Sequence, residues 1–169
     1  RPPRSTLFPY TTLFRSRLAH LRSAIRILEE RGIVTVRASH VYETAPVGPV
    51  QQGAFLNAVV EVETTLPPVG LLAFAAAVEK ALGRERQQRW GPRTLDIDLL
   101  LYEDRQVDLP FLQIPHPCMH ERRFVLLPLT ELEPEIQIPG VGKARDCLAA
   151  LDEAEQPATK CEPLLHSGA

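Results

Sequence analysis

In the stretch RWGPRTLDIDLLLY, residues 89–102, two aspartates break an apolar run at alternate positions, Asp96 and Asp98. A strand sends successive side chains to opposite faces, so both carboxylates project together while Leu95, Ile97 and Leu99 point the other way. Strand rise would put their Cα atoms roughly 6.5–7 Å apart. Carboxylates so placed can straddle two divalent cations about 3.5–4 Å apart, an arrangement that clamps a transferring phosphoryl group. Oxygen-only ligation favours Mg²⁺, which keeps several waters and takes its remaining ligands from substrate phosphates. The preceding loop, RERQQRWGPR, carries Arg84, Arg86 and Arg93, and arginine suits multidentate phosphate contacts. An isolated pair of strand aspartates more often serves only the fold, by pairing with nearby arginines. Carboxylates and arginines together suit a metal–polyphosphate complex better than a simple ion pair. PGVGKARD, residues 139–146, is no P-loop, because Ala144 follows the lysine and the upstream glycine is absent.

The elements that must hold these groups can be read from periodicity. Leu18, Leu21, Ile25 and Leu28 recur at helical spacing between Arg17 and Arg31, with Gly32 placed to cap the end. IVTVRASHVYET predicts a strand near 33–43, and AFLNAVVEVETTL a second one. Pro67 and Pro68 open a helix that stops near Gly83. TLDIDLLLY is a third strand and QVDL a short fourth. IPHPCMHERRF is a proline-bounded connection with one helical turn, FVLLPLTEL packs back on the core, and a modest helix is predicted near 143–152. Beyond Pro157 the pattern is weak, and residues 157–169 are expected to be a poorly ordered tail. Helix, strand, strand, helix, strand fits an α/β sandwich with helices on one face of an antiparallel sheet. Such folds begin with a strand, and that strand is missing from the pattern.

The chain has 169 residues, 44% of them hydrophobic, enough for one domain with one core. A net charge of −2 gives no global reason to bind nucleic acid or an anionic membrane, so any anion site must be local. Cys118, Cys147 and Cys161 are odd in number and lack metal-ligand spacing, which predicts free thiols in a reducing compartment. Apolar runs fall short of the roughly 20 residues a membrane span needs. A cytoplasmic protein without membrane or nucleic-acid partners is expected.

Residues 6–16, TLFPYTTLFRS, reproduce one reading frame of a common sequencing-library adapter across all eleven positions. Residues 1–16 are therefore read as a non-native segment. The alternative is a natural strand, YTTLF, behind a proline-rich leader.

RWGPRTLDIDLLLY resembles the signature of the 6-hydroxymethyl-7,8-dihydropterin pyrophosphokinase family of folate biosynthesis. The resemblance extends through YETAPVG, FLNAVVEVET, LGRER, IPHP and ERRFVLLPL, and covers roughly residues 17–150. It implies a ferredoxin-like α+β fold over residues 17–156 and transfer of pyrophosphate from ATP to the pterin's hydroxymethyl group, releasing AMP. It further implies that Asp96 and Asp98 bind two Mg²⁺ ions and that Arg84 and Arg93 neutralise phosphate charge. Glu79, Arg86, His116 and Arg122 match positions on the nucleotide side. Phe55, Phe124 and Trp90 match aromatic positions suited to a flat heterocycle. Asn57 matches the amide that reads the ring edge, and Thr44 and Val47 match a loop whose backbone approaches the ring. A monomer with two small-molecule substrates follows. For the phenylalanines, taken alone, ordinary core packing is the better reading, and for His116 a structural turn; Trp90, in a polar loop, is harder to explain that way.

Two departures stand out. The family's first strand ends in a glycine-containing loop, and neither is present. That strand is central in ferredoxin-like sheets, so its loss would leave neighbouring backbone groups without partners. YTTLF has strand-forming residues and could act as a surrogate, but it cannot supply the glycine loop. Cys118 stands where many relatives carry a basic residue. Two rival readings, an RNA-binding module and a Mg²⁺-dependent phosphohydrolase, leave FLNAV and ERRFV unexplained.

Overall fold

The computed structural model describes residues 2–11, 14–44, 55–83 and 95–166. In chain order these form β1 (Arg4–Thr11), α1 (Phe14–Glu30), β2 (Val34–Ala38), β3 (His40–Thr44), β4 (Phe55–Asn57), β5 (Val60–Glu63) and α2 (Pro68–Gly83). There follow β6 (Asp96–Tyr102), β7 (Val107–Leu109), β8 (Leu112–Ile114), a 3₁₀ turn at Met119–Glu121, α3 (Arg123–Leu132), β9 (Gln137–Ile138), β10 (Gly142–Lys143), α4 (Ala144–Ala149) and β11 (Ala158–Pro163).

The helix predicted from Arg17 begins three residues earlier and ends as expected. Gly32 adopts φ 92°, open to glycine at no steric cost, while Ile33 N–H donates to Leu28 O at 3.0 Å and Gly32 N–H to Glu29 O at 3.1 Å. This is the Schellman arrangement, and the flanking Leu28 and Ile33 are both buried. The two long strands read from alternation are each bent into two. Ser39 separates β2 from β3, and its buried hydroxyl accepts from Val59 N–H at 2.9 Å where β4 gives way to β5. Alternation survives a bend, which is why periodicity alone does not reveal it.

Treating each bent pair as one strand, the sheet runs β6, β1, β4/β5, β2/β3, and every pairing among these is antiparallel. This is the ferredoxin-like order. The central place expected to be empty is filled by β1. Its residues Arg4–Leu7 pair with β5, Tyr10 and Thr11 with β4, and Ser5–Tyr10 with β6. Backbone groups of both neighbours therefore have partners. The expectation of a bare centre is corrected for a physical reason: ladder bonding needs only an extended backbone, whatever side chains it carries.

One face of the sheet is closed by α1 and α2. Leu21, Ala24, Ile25 and Leu28 of α1 and Leu71, Ala75, Val78 and Leu82 of α2 pack there against Leu7, Leu56, Val60, Val62, Ile97 and Leu99. The opposite face is also covered, against the one-sided expectation, but only in its middle. There Leu126 and Leu129 of α3, with Met119 and Ala144, pack on Val59, Leu100 and Leu101. A bulge makes this possible. Leu7 pairs with Leu99 and Thr6 with Leu101, so Leu100 is an extra residue and two consecutive leucines enter the same core.

The weakly patterned tail is not loose. Ala158, Thr159 and Lys160 pair with Thr44, Glu43 and Tyr42, and Leu164 beyond them is fully buried. Arg22 of α1 donates to Leu164 O at 2.9 Å. Six residues on an edge strand, mostly exposed, show little alternation, so the sequence pattern hid them. Leu164→Ala should cost about 2–5 kcal/mol, read as a lower urea midpoint at unchanged m-value.

Candidate active site

Three bands divide the face that α3 half covers. At one end Glu61 is buried and doubly held, accepting from Arg4 Nη1 at 2.8 Å and Arg37 Nε at 2.7 Å. The middle is the second apolar core. The other end carries the residues that the sequence picked out for chemistry.

Asp96 and Asp98 open β6 and are half-buried, alternating with buried Ile97 and Leu99. Asp96 pairs with Tyr10 of β1, Tyr10 with Asn57 of β4, and Asn57 with Tyr42 of β3. One row of cross-strand neighbours therefore links the aspartates to Asn57 across two strand spacings, about 10 Å. Asn57 is 2% exposed and donates through Nδ2 to Thr44 Oγ1 at 2.9 Å. Phe55, two residues before Asn57, is half-buried on the same face. The first turn of α3 supplies half-buried Phe124, packed against the second apolar core with the Arg122 guanidinium 5.9 Å from its ring centroid.

His116 reaches the aspartates through a cis Ile114–Pro115 bond, and its backbone N–H donates to Leu100 O at 2.9 Å. Its Nδ1 accepts from Cys118 N–H at 3.2 Å, which puts the neutral ring's proton on Nε2. Burial holds this imidazole below its ordinary range; Asp98 opposes the shift and Arg122 adds to it. Burial pushes the Asp98 carboxyl up; His116 pulls against it, Asp96 adds to the rise and Arg122 again opposes. Asp96, Asp98, His116 and Arg122 thus share one electrostatic neighbourhood.

Glu79 stands somewhat apart. It projects from α2 and accepts from Ile97 N–H at 3.0 Å, gripping the backbone between the two aspartates. In this structure it steadies the strand, a role its sequence position did not suggest. Arg84, Arg86, Trp90, Arg93 and Val47 lie outside the described residues.

A cleft of about 380 Å³ opens beside Asp98 and His116, lined also by Leu72, Leu99, Phe111, Leu112 and Gln113. The sequence reading passed over these residues. A signal was present in the exposed aromatic Phe111 of DLPFLQ, 63% accessible next to a proline. Two apolar residues on either side of a strand do not identify a cleft until β8 is known to lie along the edge of β6.

Comparison with known proteins gives the family and the fold. The family described as 7,8-dihydro-6-hydroxymethylpterin-pyrophosphokinase matches residues 13–134. The 2-amino-4-hydroxy-6-hydroxymethyldihydropteridine pyrophosphokinase of Bacillus subtilis is 44% identical over 122 residues, covering 72% of this chain and 73% of the relative. That of Methylorubrum extorquens is 48% identical over 121 residues, covering 72% and 76%. In fold, the chain is similar to Plasmodium falciparum HPPK-DHPS solved with pterin and p-hydroxybenzoate, at a TM-score of 0.72 and 18% identity. That superposition covers 88% of this chain and 43% of the other. The chain belongs to the 7,8-dihydro-6-hydroxymethylpterin-pyrophosphokinase family. Strand β1 up to Thr11 and the whole of α4 and β11 fall outside the family match.

The raised Asp98 carboxyl has a stability consequence. Below the ordinary aspartate range it is protonated in folded and unfolded chains alike, so it contributes no pH dependence. As pH rises through its unfolded and then its elevated folded value, ionisation favours the unfolded chain. Asp98→Asn should therefore raise the thermal midpoint at pH 7 in the presence of a chelator, and the gain should vanish toward pH 3.

Proposed function

We propose that this chain transfers pyrophosphate from ATP to the hydroxymethyl oxygen of 6-hydroxymethyl-7,8-dihydropterin, giving AMP and the pterin diphosphate, with Asp96 and Asp98 as its metal-binding pair. The observation that carries this reading is the row joining Asp96 to Asn57, because the proposed metal pair and the proposed pterin-reading amide then stand about two strands apart on one face of the sheet.

The donor set suits magnesium. Asp96 and Asp98 offer hard oxygen ligands in a partly desolvated place where Asp98 holds its charge at a penalty. Among the described residues no cluster of three or more His, Cys, Asp or Glu side chains forms a ready metal cage. Such a pair fits an ion that keeps waters and draws on substrate phosphates. Two magnesium ions, when bound, would supply positive charge against the phosphate oxygens. Arg122 adds charge at the same place, with Arg84, Arg86 and Arg93 expected to contribute from their loop.

In the cleft beside Asp98 and His116, Leu72, Leu99 and Leu112 offer apolar walls to the nucleotide base, and His116 presents a neutral Nε2–H donor. Thr44, by accepting from Asn57 Nδ2, leaves the amide oxygen of Asn57 for the pterin edge. Phe55 and Phe124 are the described aromatic side chains proposed to meet the ring, and the resemblance adds Trp90 and Val47 to the expected pterin contacts. The reaction then rests on alignment and charge stabilisation: the pterin oxygen bonds to the β-phosphorus as the α–β bridge breaks. A cytoplasmic monomer without nucleic-acid partners is supported by the net charge of −2, the three free cysteines and the scatter of exposed apolar residues. Among the described residues no helix is long and apolar enough to cross a membrane.

AMP formation should require both ATP and the reduced pterin, and Asp98→Ala should lower it about 10²–10³-fold. Phosphate release from ATP without pterin, at a comparable rate, would instead make the chain a hydrolase.

Residues 1–16 are, on this reading, a non-native stand-in for the family's first strand. Support comes from the start of the family match at residue 13 and from Thr6, whose buried hydroxyl has no hydrogen-bond partner at the centre of the sheet. Replacing residues 1–16 with a β-branched strand and a glycine loop should raise both the thermal midpoint and kcat/KM. A chain already stable and fully active as it stands would overturn this.

A further inference from the structure

We propose that Gln156, in the segment beyond the family match, is a positioning residue that holds Arg122 in place against the substrate. Arg122 is the N-cap position of α3, and its own side chain makes no capping bond. The first helical N–H, that of Arg123, is an orphan donor by construction. Gln156 Oε1 accepts it at 2.8 Å, from 33 residues away. The same amide donates through Nε2 to Glu121 O at 3.1 Å. One planar side chain thus grips the backbone on both sides of Arg122, using both ends of its amide.

The grip is reinforced. Arg123 Nη1 donates to Gln156 O at 3.1 Å, and Arg123 Nη2 meets Glu153 Oε1 at 3.4 Å, leaving that arginine side chain only 12% exposed. Arg123 therefore serves the tail, while Arg122 is turned over Phe124 and toward Asp98 and His116. Two residues after Gln156, Ala158 pairs with Thr44, the residue that accepts from Asn57. Only Pro157 lies between Gln156 and Ala158, so one short segment links the backbone around Arg122 to the strand that carries Thr44.

The inference rests on the reading of Arg122 as a nucleotide contact, and a double-mutant cycle separates the two. ATP binding to the full chain, with Mg²⁺ and without pterin, is measured by titration calorimetry for the parent, Gln156→Ala, Gln156→Glu, Arg122→Ala and the Gln156→Ala/Arg122→Ala double variant. Losing hydrogen bonds of this kind should weaken ATP binding about three- to tenfold in Gln156→Ala. Gln156→Glu, which still accepts from Arg123 N–H, should lose less. The double variant should bind no more weakly than Arg122→Ala alone, because the effect passes through that residue. A purely structural role would lower the fraction of competent sites in the titration and leave the affinity of the remainder at the parental value; that result overturns the proposal, as does simple additivity in the double variant. If Arg122→Ala binds ATP as the parent does, the functional reading of Arg122 fails and the proposal goes with it.

Discussion

Two carboxylates held on one face of one strand, partly stripped of water, repel each other, and that repulsion organises the working end of the molecule. Burial and the charge of Asp96 both push the Asp98 carboxyl up, while His116 and Arg122 only partly offset them. Among the described residues, the apolar cluster under α3 covers the middle of this face. Glu79 then clamps the backbone between the two aspartates, so that mutual repulsion does not splay the start of β6.

The same face shows the contrasting case. Glu61 is more deeply buried than either aspartate, and burial alone would raise its carboxyl. Hydrogen bonds from Arg4 and Arg37 overcome this and hold it below the usual range. The charge of Glu61 is thus answered within the protein, and a cavity of about 580 Å³ beside it is lined by Glu61 together with both of its arginine partners. Charge balance, more than cavity size, distinguishes the two ends. Between them a carboxylate on α3 fastens the layers: Glu131 accepts from Tyr42 Oη at 2.7 Å and from His40 N–H at 2.9 Å, tying the helix that carries Phe124 to the strand that carries Thr44.

Much of this was legible in the residues, because the governing interactions are local. Strand alternation put Asp96 and Asp98 on one face, helical spacing and Gly32 delimited α1, and the order of elements pointed to the ferredoxin-like sheet. The misses share a cause as well. The bends at Ser39 and Ala58–Val59, the edge strand β11, the cleft beside β8 and the cap from Gln156 all depend on residues far apart in the chain meeting through the fold. Glu79, expected on the nucleotide side from the resemblance, also accepts from the Ile97 backbone N–H, a long-range contact that residue order does not reveal. The occupied centre of the sheet teaches the converse, since the backbone ladder forms there even though the buried hydroxyl of Thr6 has no partner.

The extra residue at Leu100 has a consequence of its own. By absorbing one position, the bulge puts the two halves of β6 out of phase, so that alternation counted backward from Tyr102 would turn Asp96 and Asp98 toward α1 and α2. The extra residue therefore decides which face both carboxylates share, while Tyr102 keeps its place in the core beneath α1 and α2.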